Sequence, residues 1–360
     1  MFRKGIAEIK AYVPGKPIED VMREFGLTEV VKLASNENPL GPSPKALEAM
    51  RGALDSLNIY PDGACLALTK KLADKLDVDP DGIVFGNGED NIITLISKTF
   101  LNEGEEMIMA DPSFSSFEIS ARAMGAKVIM VPVRPDFTTD LDAILEAVND
   151  KTKLIYLCNP NNPTGTICTR DEVEKFLDKL PDHVVLVFDE AYKEFVDDPS
   201  YPEGLDYVRA GHNVLVSRTF SKVYGLAGIR VGYAIGHPEL IGGMKRIREA
   251  FATNRLAQIG AIAALDDDEF LKKVTDVIRE GREYLYQEFE RMGLPYVKSH
   301  TNFMMVDTKK DIKQVFVDLQ REGVIVRPAH IWNLPTWARV TVGTMEENRK
   351  FIEALEKVLA

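Results

Sequence analysis

Cysteine is scarce in this chain, three in 360 residues, and Cys65, Cys158 and Cys168 show none of the close pair spacings that build a zinc site or a redox dithiol. No metal is expected, and such sparing use of thiols suits a reducing cytoplasm. Positive charge is short as well. Forty-four Lys and Arg stand against 56 Asp and Glu, a formal net charge of -12, so no extended basic face is expected to meet nucleic acid or an anionic membrane. Long apolar runs are missing: no uninterrupted stretch approaches the roughly 18 residues of a membrane span. The opening Met1-Phe2-Arg3-Lys4 becomes charged again at Glu8 and Lys10, which leaves no apolar core of a secretory leader. A soluble, cytoplasmic protein is the expectation. Two nucleotide signatures fail too, because Gly86-Asn87-Gly88 is followed by Asn91 where G-x-G-x-x-G needs glycine, and G-x-x-x-x-G-K-[ST] does not occur.

What the chain does have is apolar material, 45% of its residues, in short runs between amphipathic stretches. Ile83-Val84-Phe85, Met107-Ile108-Met109, Val128 to Val131, Leu154 to Leu157, Val184 to Phe188 and Val214-Leu215-Val216 are each bounded by turn residues. Runs apolar on both faces read as central strands of a mainly parallel sheet with crossover helices between them, an α/β fold. One helix is marked by Ser43 as N-cap with Pro44 at its first position, another by Asp171 to Leu180 before Pro181. Beyond about residue 250 the texture changes to a long helix near 269–292 and edge-like strands near 302–307, 324–327 and 338–343. The organisation expected is an N-terminal arm and start of a small domain (1–35), a large domain (36–250) and a smaller α+β domain (251–360).

Ligands of such sheets bind beyond the carboxyl ends of the strands, and the residues there are polar. Gly86-Asn87-Gly88-Glu89-Asp90 follows the first run and precedes a helix, so it is either a phosphate-binding turn or an ordinary tight one. Asp189 ends five apolar residues, where a carboxylate needs a fixed partner. It is either the N-cap of the next segment or the group that keeps a pyridinium nitrogen protonated. Lys222 follows a strand and the Thr219-Phe220-Ser221 turn, lies among Gly225, Ala227 and Gly228, and has Arg230 eight positions on. A lysine crowded by another cation and partly desolvated has a lowered pKa, which suits an amine that forms an imine.

Together, Ser35-Asn36-Glu37-Asn38-Pro39, Tyr60-Pro61-Asp62, Asn162-Pro163-Thr164-Gly165, Asp189-Glu190-Ala191-Tyr192 and Thr219-Phe220-Ser221-Lys222 with Arg230 resemble the fold-type-I pyridoxal-phosphate aminotransferases, and within them the histidinol-phosphate aminotransferase family. The similarity runs in order from about residue 10 to the C-terminus. It implies a large domain with a mainly parallel seven-stranded sheet, a smaller α+β domain, an N-terminal arm and pyridoxal 5′-phosphate as cofactor. By resemblance, Lys222 holds the cofactor as a Schiff base and moves the proton at Cα. Asp189 pairs with the ring nitrogen, Asn162 and Tyr192 bond the ring oxygen, and Phe114 stacks on the ring. Gly88, Glu89 and Asp90 with Thr219, Ser221 and Arg230 form the phosphate cup. The family commonly has Ser-Asp-Glu where this chain has Glu89-Asp90-Asn91. Tyr60 is implied to reach the phosphate of the other subunit of a homodimer, Tyr12 the partner's substrate site, and Arg327 and Arg339 the substrate's anionic end.

The reaction implied is a ping-pong exchange between histidinol phosphate and 2-oxoglutarate, in histidine biosynthesis. An aromatic amino-acid aminotransferase is the alternative, with Phe114, Phe117, Ile331, Trp332 and Trp337 as either pocket or core. Decarboxylation of an amino-acid phosphate and the sensing domain of a transcription regulator are the more distant readings. The last lacks a basic DNA-binding module.

Overall fold

Short apolar runs between turn residues become strands here, and the computed structural model, which describes residues 4–9 and 15–360, arranges them in two sheets. In chain order the strands are β1 (Val31–Leu33), β2 (Ile83–Gly86), β3 (Glu106–Asp111), β4 (Lys127–Pro132), β5 (Thr152–Cys158), β6 (Val185–Asp189), β7 (Val214–Thr219), β8 (Gly232–Gly236), β9 (Phe303–Asp307), β10 (Val324–Pro328) and β11 (Trp337–Thr341). The larger sheet has the order β2-β8-β7-β6-β5-β3-β4. Neighbours from β7 to β4 are parallel, and β8 runs antiparallel between β2 and β7. The mainly parallel, seven-stranded α/β fold expected from the sequence is the one observed.

Its centre is apolar on both faces because helices cover both. Ile155, Leu157, Leu186, Phe188, Val214 and Val216 enter one apolar cluster, and the alternate residues Leu154, Tyr156, Val185, Val187 and Leu215 enter the other. Each such large side chain contributes about 1.5–3 kcal/mol when fully buried. Polar chemistry is therefore confined to the strand ends. The helix over Pro44–Arg51 starts as expected, with Ser43 accepting from the Ala46 amide. The one expected over 171–180 spans Arg170–Leu177, opened a residue earlier by the Thr169/Glu172 capping box. The long helix is Asp268–Arg291.

β8 gave no apolar run in the sequence, since it begins and ends in glycine. Gly232 is required there: a Cβ would lie 2.6 Å from the Glu89 amide nitrogen, so only glycine lets the turn before helix Glu89–Phe100 pack on this strand. The smaller sheet, β1-β10-β11-β9, takes β1 from the N-terminal segment and pairs it parallel with β10. Helix Arg255–Ala264, beyond the boundary expected at residue 250, packs on helices Pro44–Arg51 and Leu66–Leu76.

Candidate active site

A cavity of about 300 Å³ opens at the carboxyl ends of β5, β6 and β7, with β11 of the smaller sheet opposite. It brings together Glu89, Asp90, Phe114, Asn162, Asp189, Tyr192, Thr219, Ser221, Lys222, Arg230 and Arg339. Ser35, Asn36, Glu37, Cys158, Ala191 and Ala227 complete the lining. Arg327 and Tyr60 do not line it, and Tyr12 lies outside the described residues.

Lys222 follows β7 on a turn tied down by main-chain contacts. The Asn38 side-chain amide donates to the carbonyls of Lys222 (3.2 Å) and Val223 (2.9 Å), and the Gly225 amide donates to the former at 3.0 Å. Its Nζ sits 5.5 Å from the centroid of the Tyr192 ring. Desolvation, then the positive charge of Arg339, pull its pKa down to about 8, while Glu89 and Glu37 oppose the shift. A substantial fraction of the amine is therefore uncharged near neutrality, the state that attacks an aldehyde.

Asp189, 2% exposed, ends β6. Its Oδ1 accepts from the Ala191 amide at 2.9 Å and its Oδ2 from the Cys158 thiol at 3.6 Å. Burial pushes both the Asp189 carboxyl and the Cys158 thiol upward, which keeps the latter a donor. Losing water costs a buried carboxylate several kcal/mol, and two hydrogen bonds of about 1–3 kcal/mol each return only part of that. The carboxylate faces the cavity and has no cation within ion-pair distance among the described residues, a place that a protonated ring nitrogen would fill. The Ala191 bond shows that Asp189 caps its own turn, and the same carboxylate is placed to meet a cation in the cavity.

The end of the cavity near Gly88 is built from backbone and a guanidinium. Gly88 has φ 79°, and a Cβ there would lie 2.1 Å from Nη2 of Arg230. Glycine thus lets a guanidinium lie against the start of helix Glu89–Phe100, whose amides and positive end favour an anion. Arg230 itself is left-handed, φ 58°, a strain of about 1–3 kcal/mol that gathers at functional sites. Its Nη2 pairs with Asp90 at 3.2 Å and its Nη1 donates to the Ala227 carbonyl at 3.3 Å. The hydroxyls of Thr219 and Ser221 meet at 2.9 Å beside it. A guanidinium, two hydroxyls and a helix end fit a phosphate; a waiting carboxylate and a softened lysine amine fit a pyridine aldehyde. Pyridoxal 5′-phosphate has both.

Opposite, Arg339 is 7% exposed. It donates from Nη1 to Asn162 Oδ1 (2.5 Å) and from Nη2 to the Ala34 carbonyl (2.9 Å), and its guanidinium lies 5.2 and 5.5 Å from the Phe303 and Trp332 ring centroids. Arg327 is its cross-strand partner on β10. Phe114 lines the cavity and meets Phe117 edge-on, but Phe117 is buried core stacked on Tyr156 at 4.2 Å. Trp332 and Trp337 pack with Phe137 and Leu334 around Met305, and Ile331 is exposed.

Sequence reasoning assigned no role to three groups that organise this site. Asn36, buried at φ 55°, donates to the Tyr192 hydroxyl at 3.0 Å and exchanges hydrogen bonds with Thr341. Asn38 holds the lysine turn as described. Under the floor, Arg218 Nε donates to Glu190 at 2.7 Å and its Nη2 to Glu203 at 2.6 Å, pinning the residue after Asp189 to β7. The Ser35–Pro39 motif was the available signal for the two asparagines; the Arg218 network left none.

A mainly parallel sheet that presents a lysine, an aspartate and an arginine-backed helix N-terminus at its strand ends fits a pyridoxal-phosphate-dependent transferase. The model of the family "Aminotransferase class I and II" matches residues 28–355. The histidinol-phosphate aminotransferase of Caldicellulosiruptor saccharolyticus is 48% identical over 359 residues, covering 100% of both chains. That of Moorella thermoacetica is 48% identical over 359 residues, covering 99% of this chain and 93% of its own. The crystal structure of histidinol-phosphate aminotransferase from Sinorhizobium meliloti in complex with pyridoxal-5′-phosphate superposes with a TM-score of 0.90 at 30% identity, covering 99% of this chain and 97% of that one. The chain belongs to the histidinol-phosphate aminotransferase family of class I and II aminotransferases.

Proposed function

We propose that this chain transfers the amino group of histidinol phosphate to 2-oxoglutarate, with Lys222 as the cofactor lysine and proton carrier. The observation behind it is one cavity that places a lysine of lowered pKa beside a buried, braced arginine. Full-length relatives at 48% identity bear the name of that activity. When bound, the cofactor ring takes up the electron pair left on the substrate's Cα. Lys222 Nζ removes the Cα proton and returns it to the product side. Asp189 would pair with the ring nitrogen and keep it protonated, and Tyr192 and Asn162 would bond the ring oxygen. Burial pushes the Tyr192 phenol upward, so it keeps its proton as a donor. Arg339, and Arg327 behind it, take the anionic end of either substrate, since a guanidinium pairs with carboxylate and phosphate in the same forked geometry.

The acting form is a homodimer in which Tyr60 serves the partner's phosphate cup. Tyr60 is 75% exposed, stacked on Phe251 at 4.5 Å, beside the exposed Leu57 and Ile59. An apolar face of that kind suits a protein interface. Sedimentation should show a dimer; a monomer would exclude this role. We place the protein in the cytoplasm: its three cysteines are unpaired, and no helix among the described residues is long and apolar enough to cross a membrane.

The yellow cofactor-loaded protein should be decolourised by histidinol phosphate with a kcat/KM at least about tenfold above that for phenylalanine or tyrosine, roughly the gap that one extra charged hydrogen bond sets. Equal or better rates with the aromatic amino acids would move the assignment to that activity. Carbon dioxide release would move it to a decarboxylase.

A further inference from the structure

Glu89 is an acid in an anion's place. It is the first residue of helix Glu89–Phe100 and lines the cavity. Its amide is fixed against Gly232 of β8, so the side chain cannot swing away with the main chain. Its Oε1 is buried and has no hydrogen-bond partner, and no cation lies within ion-pair distance of the carboxyl among the described residues. Its carboxyl faces that of Asp189 in the same cavity, close enough for one hydrogen bond between the two. Such a bond needs one proton. Asp189 already receives the Ala191 amide and the Cys158 thiol, both of which favour its ionised form. Glu89 receives neither, and burial followed by the nearby Asp189 charge pushes its carboxyl well above the usual carboxylate range. Asp90 on the same helix adds to that push and Lys222 opposes it; the Cys158 thiol faces the same pair.

We propose that Glu89 is carried as the neutral acid and donates its hydrogen bond to Asp189, making it the positioning residue that keeps Asp189 ionised for the cofactor ring. The proposal rests on Asp189 as the partner of the ring nitrogen. It also explains how a glutamate can open the phosphate-binding helix: a neutral carboxyl does not repel the phosphate that the same turn holds.

The test uses the full chain without cofactor and then with it. Infrared spectra of the cofactor-free wild type at pH 7 should show the carbonyl stretch of a protonated carboxylic acid, absent from Glu89→Gln. Titration with pyridoxal 5′-phosphate should give Glu89→Gln, which keeps a neutral donor, an affinity within about twofold of wild type, and Glu89→Ala one about tenfold weaker, the loss of one hydrogen bond to a charged group. The wild-type and glutamine affinities should follow parallel pH profiles around neutrality, because each side chain offers the same neutral donor. Absence of the acid band, or tighter cofactor binding by both variants than by wild type, would overturn the proposal, since that is the behaviour of an ionised Glu89. Asp189→Asn separates the two ideas. Unchanged cofactor affinity and colour in that variant would sink the ring-nitrogen reading while leaving the infrared result on Glu89 standing.

Discussion

The two walls of the cavity are made differently. The wall at the ends of β5, β6 and β7 is local: Asn162, Asp189 and Lys222 each sit within a few residues of the strand that carries them, fixed by turn hydrogen bonds. The wall from the smaller sheet is assembled across the chain. Arg339 is braced by Ala34, and Asn36 by Thr341, both 305 positions away in sequence. In the proposed reaction the first wall serves the cofactor and the second holds the substrate. A site built this way can keep the first and change the second.

That division predicts large losses of kcat on one side and losses weighted to KM on the other. Lys222→Ala should cut kcat by at least about 10⁴-fold, the upper end of general acid–base effects with a covalent role added. Single-turnover kinetics would show it. Arg218→Ala should cost about 3–5 kcal/mol of stability by stranding Glu190, which is fully buried; a denaturant melt measures this, and a shift under about 1 kcal/mol would mean that the pair does not anchor the floor. On the opposite wall, Arg339→Lys should lower kcat/KM by about 10²-fold while leaving the yellow colour, because an ammonium replaces neither the fork nor the stacking on Phe303 and Trp332. A colourless variant would mean that the walls are not separable.

A smaller effect follows from the Lys222 pKa of about 8. Only the neutral amine captures the cofactor aldehyde, so the capture rate of cofactor-free protein should rise about tenfold per pH unit below that value and level off above it. An ordinary lysine would keep rising past pH 10. In folding, the same group works in the opposite sense to a salt-bridged lysine. Its folded pKa is depressed, so the unfolded chain binds the proton more tightly, and this contribution to stability grows as pH rises from 8 toward 10.

The legibility of the molecule follows the same line. The apolar runs placed β2 through β7; all but the edge strand β4, which is largely half-buried or exposed, are apolar throughout because they are buried on both faces. Lys222, Asp189 and Asn162 were readable because their loops are contiguous. β8 was not, since glycine stands at both its ends, Gly232 packed against the turn before helix Glu89–Phe100 and Gly236 against Leu215 of β7. Asn36 and Asn38 were visible only as a motif without roles, because their partners, Tyr192, Thr341 and the lysine turn, lie more than 150 residues away. Arg218 reads as one more charge until the fold buries it on Glu190. Of the aromatic residues considered for a substrate pocket, Phe114 reaches the cavity and Trp332 backs Arg339, whereas Phe117 and Trp337 pack into core and Ile331 faces outward.

The most direct measurement is to reduce the purified, cofactor-loaded protein with borohydride and map the modified peptide. A single pyridoxyl adduct is expected, on Lys222, lost in Lys222→Ala. An adduct on another lysine, or none on the wild type, would contradict it.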